Sequence, residues 1–379
     1  EADDTVAMCD RALEKNVDVS WAHMLKGWAH YDAAEFATAG IEFDRALSID
    51  GTSLNSLFGR AACRLKTGDT AGALEDMESA MEMKDYYYEY RGGIEKSFAY
   101  RTLDMAGRVL PGSPLPDRWA GELFLMNGEN MRAARHFSAA LEKSPDDTDL
   151  FYMRGLAFSR EGRQVRALED LDSAAGLDDS RAEIFFARGV VNEDARNFGA
   201  ALADYGSALQ LEPANASYRE KHVDILLSLE SYDRAVKEAR AWADISPESF
   251  YARYSLARAL HGSGEYEEAM ENYIEAAALA AENDEKARCY YGCGLIYSGL
   301  EKYGDAAVAF DSAVVLNPGN GEYLTGRGFA RLRGGDTPGI FERWCRWRMR
   351  KKVWTTRGHS TGSPASRRRR AKGKRPWTC

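Results

Sequence analysis

The stretch NFGAALADYGSALQLEP, residues 197–213, decides the fold of this chain. It places small residues at Ala201 and Ala208, a bulky Tyr205 between them, and Pro213 at its end. Small and apolar residues that recur at spacings of three, four and seven predict an amphipathic helix, which the proline stops. The same pattern returns along the chain at an interval of 34 residues, so we predict a repeat array.

Each repeat unit contains two predicted helices, and the pattern above belongs to the second of them. The first helix carries a small residue at its middle, as at Gly189. Two antiparallel helices approach closely where their side chains are small, and a bulky side chain then fills the remaining space. Because one pair cannot bury its own apolar face, neighbouring pairs must stack. Eight units keep this phase, and they begin at Ser20, Leu54, Pro114, Thr148, Ala182, Ala216, Phe250 and Ala287.

The pattern resembles the tetratricopeptide repeat, which has the same period and the same order of small, aromatic and proline positions. In the unit that begins at Ala182, these positions hold Gly189, Tyr205 and Pro213, among others. The resemblance covers about residues 1–335. It implies an all-α fold, a right-handed superhelical solenoid of antiparallel helix pairs. It also implies that the protein binds other proteins and is not an enzyme.

The phase of the repeats divides the chain into six segments. Pro338 and Gly339 stand where the last unit should begin its second helix, so that unit is predicted to be incomplete. Because the chain begins at Glu1, within a second helix, we expect a processed or excised segment. The predicted segments are the second helix of a truncated repeat (1–19), two repeats (20–87), a degenerate helix pair or one longer helix (88–113), six repeats (114–320), the first helix of an incomplete repeat (321–335), and a basic tail rich in Arg and Trp (336–379).

The charge of the tail differs from that of the rest of the chain. Residues 341–379 carry 14 Lys and Arg against one acid; since the whole chain has a net charge of −9, residues 1–340 carry −22. Three interpretations of the tail stay open: a nucleic-acid-binding segment, a basic aromatic helix for a membrane surface or a partner, and a sequence that is not native. The last is the leading hypothesis, because enrichment in Arg, Trp, Gly, Ser and Pro is typical of a GC-rich gene read out of frame.

No catalytic constellation is recognisable in the sequence. It contains no P-loop, no nucleophile elbow and no zinc-protease helix. His23 and His30, seven apart, and Cys289 and Cys293, four apart, could suggest a metal site. The histidines hold positions of core aromatics, and two thiols fall short of a tetrahedral site, so packing is the preferred interpretation. We therefore predict no enzyme activity, no metal, no cofactor and no small-molecule substrate.

Four units carry a base in the first helix and an acid 16 residues after it. We interpret them as ion pairs that join the two helices of a unit. An exposed pair of this kind contributes only about 0–1 kcal/mol, so we expect a structural signature and not a site. Arg327 has the phase of the base, but Arg343 stands at the position of its acid. The four pairs are Lys26/Glu42, Arg60/Asp76, Arg154/Asp170 and Arg188/Asp204.

The resemblance also implies where a partner binds. In tetratricopeptide arrays the first helices line the concave face, and the residue three before the central small residue points into the groove. Five of the eight residues at that position here are aromatic, which suits an extended peptide or a partner helix. The alternative is that some of them only pad contacts between neighbouring first helices. The eight are Met24, Phe58, Arg118, Tyr152, Phe186, Glu220, Tyr254 and Tyr291, and the predicted binding set is Phe58, Arg118, Tyr152, Phe186, Tyr254 and Tyr291.

The predicted function is therefore a scaffold or adaptor that captures a protein segment along an aromatic-lined groove. The alternatives are the substrate-recognition or regulatory region of a larger enzyme, such as a protein-modifying transferase, and nucleic-acid or membrane-surface contact through the tail. The carboxylate clamp of some family members is not supported, and the −22 charge favours a neutral, apolar or basic partner. Six scattered cysteines favour a reducing, cytoplasmic location. End-to-end self-association of the array is also expected.

Overall fold

The computed structural model describes residues 2–15, 19–84 and 96–335. These residues form 19 α-helices, and no strand occurs among them. The chain divides into two compact units, Glu1–Ile225 and Leu226–Cys379. The helices are α1 (Ala2–Glu14), α2 (Val19–Asp32), α3 (Phe36–Ile49), α4 (Leu54–Thr67), α5 (Thr70–Glu82), α6 (Lys96–Val109), α7 (Leu115–Met126), α8 (Asn130–Lys143), α9 (Thr148–Arg160), α10 (Gln164–Leu177), α11 (Ala182–Asp194), α12 (Phe198–Leu211), α13 (Ala216–Ser228), α14 (Tyr232–Ile245), α15 (Phe250–Ser263), α16 (Tyr266–Leu279), α17 (Asn283–Gly299), α18 (Tyr303–Leu316) and α19 (Gly321–Arg333).

The helices pack as the small and bulky positions predict, so the all-α repeat fold is confirmed. Tyr205 has no exposed surface, and a Cβ atom added at Gly189 would lie 2.6 Å from its ring. Phe137 is equally buried and stands in the same relation to Gly121. The absence of a side chain on the first helix therefore makes room for the bulky ring of the second helix. The second helix of one pair then packs against the first helix of the next, as α3 does against α4.

A left-handed residue reverses the chain inside several of the pairs. Gly68 and Gly264 adopt φ values of 89° and 90°, and Arg196 and Glu230 adopt 60° and 54° at the equivalent turns. Glycine takes this conformation without a steric penalty, whereas a residue with a Cβ does so at a cost. The turn geometry therefore follows from the repeat architecture even where the residue type does not favour it.

The four predicted ion pairs are confirmed, but their carboxylates are more buried than we expected. Arg60, Arg154 and Arg188 each approach their predicted acid to 2.6 Å, and Lys26 lies 3.7 Å from Glu42. The partner side chains are 4% exposed for Asp76, 7% for Asp170 and 6% for Asp204. An exposed-pair value of about 0–1 kcal/mol therefore understates the effect of Arg154 and Arg188, because losing either base would leave a buried carboxylate without an ion pair. Asp76 would keep a second cation, Arg64, at 2.9 Å.

The same bases also bind the preceding unit, which the sequence analysis did not foresee. Arg188 contacts Asp172 of the preceding second helix at 2.7 Å, as well as Asp204 of its own unit. Arg60 bridges Asp44 and Asp76 in the same way. One guanidinium thus joins the second helices of two consecutive units through the first helix between them. Equivalent contacts to the preceding second helix link Lys26 to Asp10, Arg154 to Ser138 and Arg327 to Asp311.

The whole of the predicted basic tail, residues 336–379, lies outside the described residues. So do residues 1, 16–18 and 85–95, which include the first part of the irregular insert. The described part of the insert contains one helix of 14 residues, α6. None of the helices in the described ranges is long and apolar enough to cross a membrane.

Candidate protein-interaction surface

The predicted groove positions define a face on each first helix. In α9, Tyr152 is followed on the same side of the helix by Leu156 and Ser159, four and seven positions later. We call these three positions the stripe of a first helix. The stripes of α7, α9 and α11 contain nine residues, and all nine are half-buried. They are Arg118, Glu122, Leu125, Tyr152, Leu156, Ser159, Phe186, Val190 and Glu193.

A chain of ion pairs runs across these stripes. Asp149 sits at its centre, and accepts hydrogen bonds from Arg118 at 2.9 Å and from Arg181 at 2.6 Å. Arg118 also donates to Glu122 at 3.2 Å, and Arg181 donates to Glu183 at 2.9 Å. The network orients two guanidinium groups and three carboxylates along neighbouring first helices. It extends to Lys84, whose ammonium lies 3.3 Å from Glu122.

The charges of this network are partly exposed, and two of its acids are exposed most. The side chains of Asp149 and Glu183 are 35% and 41% exposed, against 27% for Arg118 and 28% for Arg181. Burial alone would raise the pKa of Asp149, but the hydrogen bonds from Arg181 and Arg118 outweigh it and hold that pKa below its ordinary value. Asp149 therefore stays ionised at neutral pH and presents its carboxylate outward.

Tyr152 and Phe186 supply the aromatic surface of this region. The Arg181 guanidinium lies 5.6 Å from the centroid of the Tyr152 ring, within the range of a cation–π contact. Burial raises the pKa of Tyr152, so its hydroxyl remains protonated and can donate a hydrogen bond. Phe186 packs against Tyr218 on α13 with ring centroids 4.6 Å apart. Both rings therefore contribute to packing between helices and keep part of their surface exposed.

The stripes of α2 and α4 have a different environment, because α6 lies over them. The Phe98 ring of α6 stacks on Trp28 with centroids 4.2 Å apart and an angle of 11° between the rings. Thr102 donates a hydrogen bond of 3.0 Å to the backbone carbonyl of Phe58. Tyr31 donates from its hydroxyl to the sulfur of Met105 at 3.4 Å.

Arg101 completes the contact between α6 and α2. It forms a 2.8 Å ion pair with Asp32, and its guanidinium lies 5.6 Å from the centroid of Trp28 and 5.7 Å from that of Tyr31. Both Trp28 and Tyr31 belong to the stripe of α2, four and seven positions after Met24. A helix of the chain itself therefore occupies the face that the sequence assigned to a partner.

The predicted role of Phe58 needs correction for this reason. Its side chain has no exposed surface, and the hydrogen bond from Thr102 places α6 against its backbone. Phe58 is a packing residue here and cannot contact a partner while α6 is in place. Sequence reasoning also missed Trp28 and Tyr31, although their spacing from Met24 on one helical face was the available signal.

The second unit carries the last two predicted residues, Tyr254 on α15 and Tyr291 on α17. Tyr254 stacks on Phe250 with centroids 5.5 Å apart, and Arg288 lies 5.5 Å from the Tyr254 centroid. Tyr291 contacts Tyr323 of α19 with centroids 5.0 Å apart. Both side chains are half-buried and link neighbouring first helices, as the padding interpretation expected. Whether they also contact a partner stays a prediction.

The residues considered for metal binding have other contacts. The Nδ1 atom of His23 lies 2.5 Å from a carboxylate oxygen of Glu42, and that of His30 lies 2.7 Å from one of Glu35. The two histidines therefore contact different carboxylates. Cys289 and Cys293 are free and buried, and burial raises their pKa values to about 12 and about 11. The described residues contain no group of three or more metal-ligating side chains.

Parts of the chain match known family profiles and a known protein. Residues 120–182 and 186–250 match one family profile described as tetratricopeptide repeat, and residues 250–283 match another. The small glutamine-rich tetratricopeptide repeat-containing protein 2 of Mycosarcoma maydis is 30% identical over 90 residues, which is 24% of this chain and 26% of that protein. The match thus spans about a quarter of the relative.

The chain is also similar, at low identity, to two solved structures. A tetratricopeptide repeat protein from Parabacteroides merdae is 17% identical, with 66% of this chain and 97% of that chain covered and a TM-score of 0.48. Yeast Tom70 is 14% identical, with 89% of this chain and 86% of that chain covered and a TM-score of 0.43.

Proposed function

We propose that this chain is a protein-interaction scaffold, in keeping with its match to tetratricopeptide-repeat profiles over residues 120–182, 186–250 and 250–283. In this proposal the chain holds a peptide segment of a partner protein against the stripes of α7, α9 and α11. One observation carries the proposal. In the equivalent stripe of α4, Phe58, Ala62 and Leu65 are buried beneath a helix of the chain, α6, whereas all nine residues of the α7, α9 and α11 stripes keep exposed surface. A surface that binds a polypeptide in one part of the array is a reasonable binding surface in another part.

The chemistry of the surface suggests the chemistry of the partner. Tyr152 and Phe186 offer ring faces, which bind with little loss of side-chain entropy. The most exposed charges are the carboxylates of Asp149 and Glu183. We therefore expect a segment with apolar or aromatic side chains and a net positive or neutral charge, in agreement with the acidic body of the chain. Scaffolds of this family are typically non-catalytic, and we propose the same here, in a cytoplasmic setting.

The proposal can be tested by affinity capture from a lysate of the source cells. The altered bait carries Tyr152→Ala and Phe186→Ala, and partners retained by the unaltered chain are identified by mass spectrometry. Removing both rings should reduce retention of the specific partner by at least about tenfold, because such aromatic anchors each contribute about 1 kcal/mol or more to binding.

The matched control removes apolar surface from a second helix of the same region. Val165 and Leu177 on α10 are 72% and 44% exposed, so Val165→Ala with Leu177→Ala deletes apolar area away from the stripes. The control bait should retain the partner as the unaltered chain does. A partner lost with the control and kept with the altered bait would move the binding site to the second helices.

A further inference from the structure

α19 is a first helix whose second helix is not among the described residues. Gly328 lies at its middle, at the position that Gly189 and Gly294 hold in their own units. A Cβ atom added at Gly189 or Gly294 would lie 2.6 Å from an aromatic ring of the second helix. One added at Gly328 would have no neighbour within 4 Å among the described residues. The space for a bulky side chain is therefore present on α19, and no described residue fills it.

The basic residues of α19 match those of α4, where a second helix is present. Arg60 and Arg64 of α4 lie 2.6 Å and 2.9 Å from the carboxylate of Asp76, on the second helix α5. Arg327 and Arg331 stand at the same two positions of α19. Since both arginines of α4 bind one acid of the second helix, α19 presents a site for an acid of the same kind.

Within the described residues, Arg327 and Arg331 share one carboxylate, that of Asp311 on the preceding second helix. Its oxygens lie 3.4 Å from Arg327 and 2.5 Å from Arg331. Two guanidinium groups therefore face one neutralising charge. The neighbouring apolar side chain is open as well, since Leu324 is 37% exposed whereas its equivalent in α4, Leu57, is 5% exposed. This face of α19 favours a helix that carries an acid among apolar side chains.

The residues that follow α19 in the sequence match this face poorly. In the register of the repeats, Ile340 takes the first small position of the second helix, which is alanine in all eight units. Arg343 takes the position of the acid, opposite Arg327 and Arg331. A large side chain keeps two helices apart, and a third arginine repels the first two. The sequence therefore does not supply its own second helix for α19.

A second copy of the chain does not supply the pattern either. Its helix α1 has Met8 at the position of the acid and Cys9 at that of the ring, and Cys9 is buried within its own chain. The second helices that carry both an acid and a ring, such as α12, already pack on the first helix of their own unit. The face of α19 therefore fits a helix of another protein.

We propose that α19 binds an amphipathic helix of a partner protein, which pairs with it as the second helix of a further unit. The fitting helix carries a small residue, an acid, an aromatic ring and another small residue at i, i+3, i+4 and i+7, all on one face. The ring lies over Gly328, and the carboxylate pairs with Arg327 and Arg331. The small residues let the two helices approach closely. This site is separate from the stripes of α7, α9 and α11, and it does not depend on their function.

The test uses the full chain and, as the probe, a labelled peptide of residues 197–213, NFGAALADYGSALQLEP, which has this pattern. Fluorescence anisotropy should show that the unaltered chain binds the peptide. The variant Gly328→Leu should bind it at least about tenfold more weakly, because the leucine takes the space of the ring. The matched control is Gly176→Leu on α10, where an added Cβ atom also has no neighbour within 4 Å. It should bind the peptide as the unaltered chain does.

A charge exchange tests the ion pair separately. A peptide with Asp204→Arg should bind the unaltered chain at least about tenfold more weakly, and should regain affinity for the chain variant Arg327→Glu. Circular dichroism reports whether each chain variant keeps its helices.

Three results would overturn the proposal. The first is that the unaltered chain does not bind the peptide, and the second is that Gly328→Leu and the unaltered chain bind it equally. The third is a dimer of the unaltered chain, seen by sedimentation velocity and lost in Gly328→Leu, because it would assign the face of α19 to a second copy.

Discussion

The stripes of α4 and α9 come from the same repeat pattern but have different surroundings. In α4, Phe58, Ala62 and Leu65 are buried, whereas in α9 the equivalent Tyr152 and Leu156 are half-buried. The difference comes from the helices that each first helix contacts. α6 packs on α4, whereas α9 packs against the helices next to it in the array. The repeat pattern determines which side of a first helix faces the groove. A segment that is out of phase with the repeats determines whether that side is accessible.

The largest expected difference is in the stability of two phenylalanine variants. Phe58→Ala should lower the free energy of unfolding by about 3–5 kcal/mol, because it removes a fully buried ring. Phe186→Ala removes a half-buried ring at the equivalent position of α11, and should cost about 1–2 kcal/mol. Urea denaturation followed by circular dichroism measures both. Equal losses of stability would contradict the distinction between the stripe of α4, which α6 covers, and the stripe of α11, which it does not.

The guanidinium bridges of the two regions should differ in their contribution, because the buried carboxylate in the covered region has a second cation. Arg188→Ala would leave the Asp204 carboxylate, 6% exposed, without its ion pair, and should cost about 2–3 kcal/mol. Arg60→Ala should cost less, about 1 kcal/mol, because Arg64 stays 2.9 Å from the Asp76 carboxylate. Arg135→Ala, at an exposed position on α8, is the matched control and should change stability by less than about 0.5 kcal/mol. A loss of stability in Arg60→Ala and none in Arg188→Ala would show that the bridge stabilises only the region that α6 covers.

A smaller, pH-dependent effect is expected in the open region. The pKa of Asp149 is lowered in the folded protein, so its ionised form adds stability above the unfolded pKa of about 4, and this contribution is lost as the pH falls through the folded pKa. Asp149→Asn should therefore cost about 0.5–1 kcal/mol at pH 7, with the difference from the unaltered chain shrinking below about pH 4. Thermal melts from pH 7 to pH 2 measure it, with Asp146→Asn, at an exposed position, as the control. A difference that persists at pH 2 would assign the loss to packing.

Much of the fold follows from local patterns in the sequence. The glycine in the first helix and the ring in the second meet as predicted, because both belong to one unit with a fixed register, as Gly189 and Tyr205 show. The pair of Arg188 and Asp204 is predictable for the same reason. The second contact of Arg188, to Asp172, has the same spacing in the opposite direction, so the sequence contained it as well.

The environment of the stripes could not be derived in this way. Helical periodicity shows which side of a helix is apolar, but not which helix that side meets. Ala99, Leu103 and Ala106 repeat the small–bulky–small spacing of a second helix, yet α6 packs on the first helices α2 and α4. The insert is shorter than a full unit, so the phase of the repeats gives no position for α6. The burial of Phe58 depends on this long-range contact.

Photocrosslinking tests the central claim most directly, namely that a partner binds the stripes of α7, α9 and α11. A photoreactive phenylalanine analogue is placed at Tyr152, at Phe186 or, as a control on the second helices, at Val165, which is 72% exposed. After irradiation in a source-cell lysate, we expect the same crosslinked partner from positions 152 and 186 and none from position 165. A partner crosslinked at position 165 and absent at positions 152 and 186 would contradict the account.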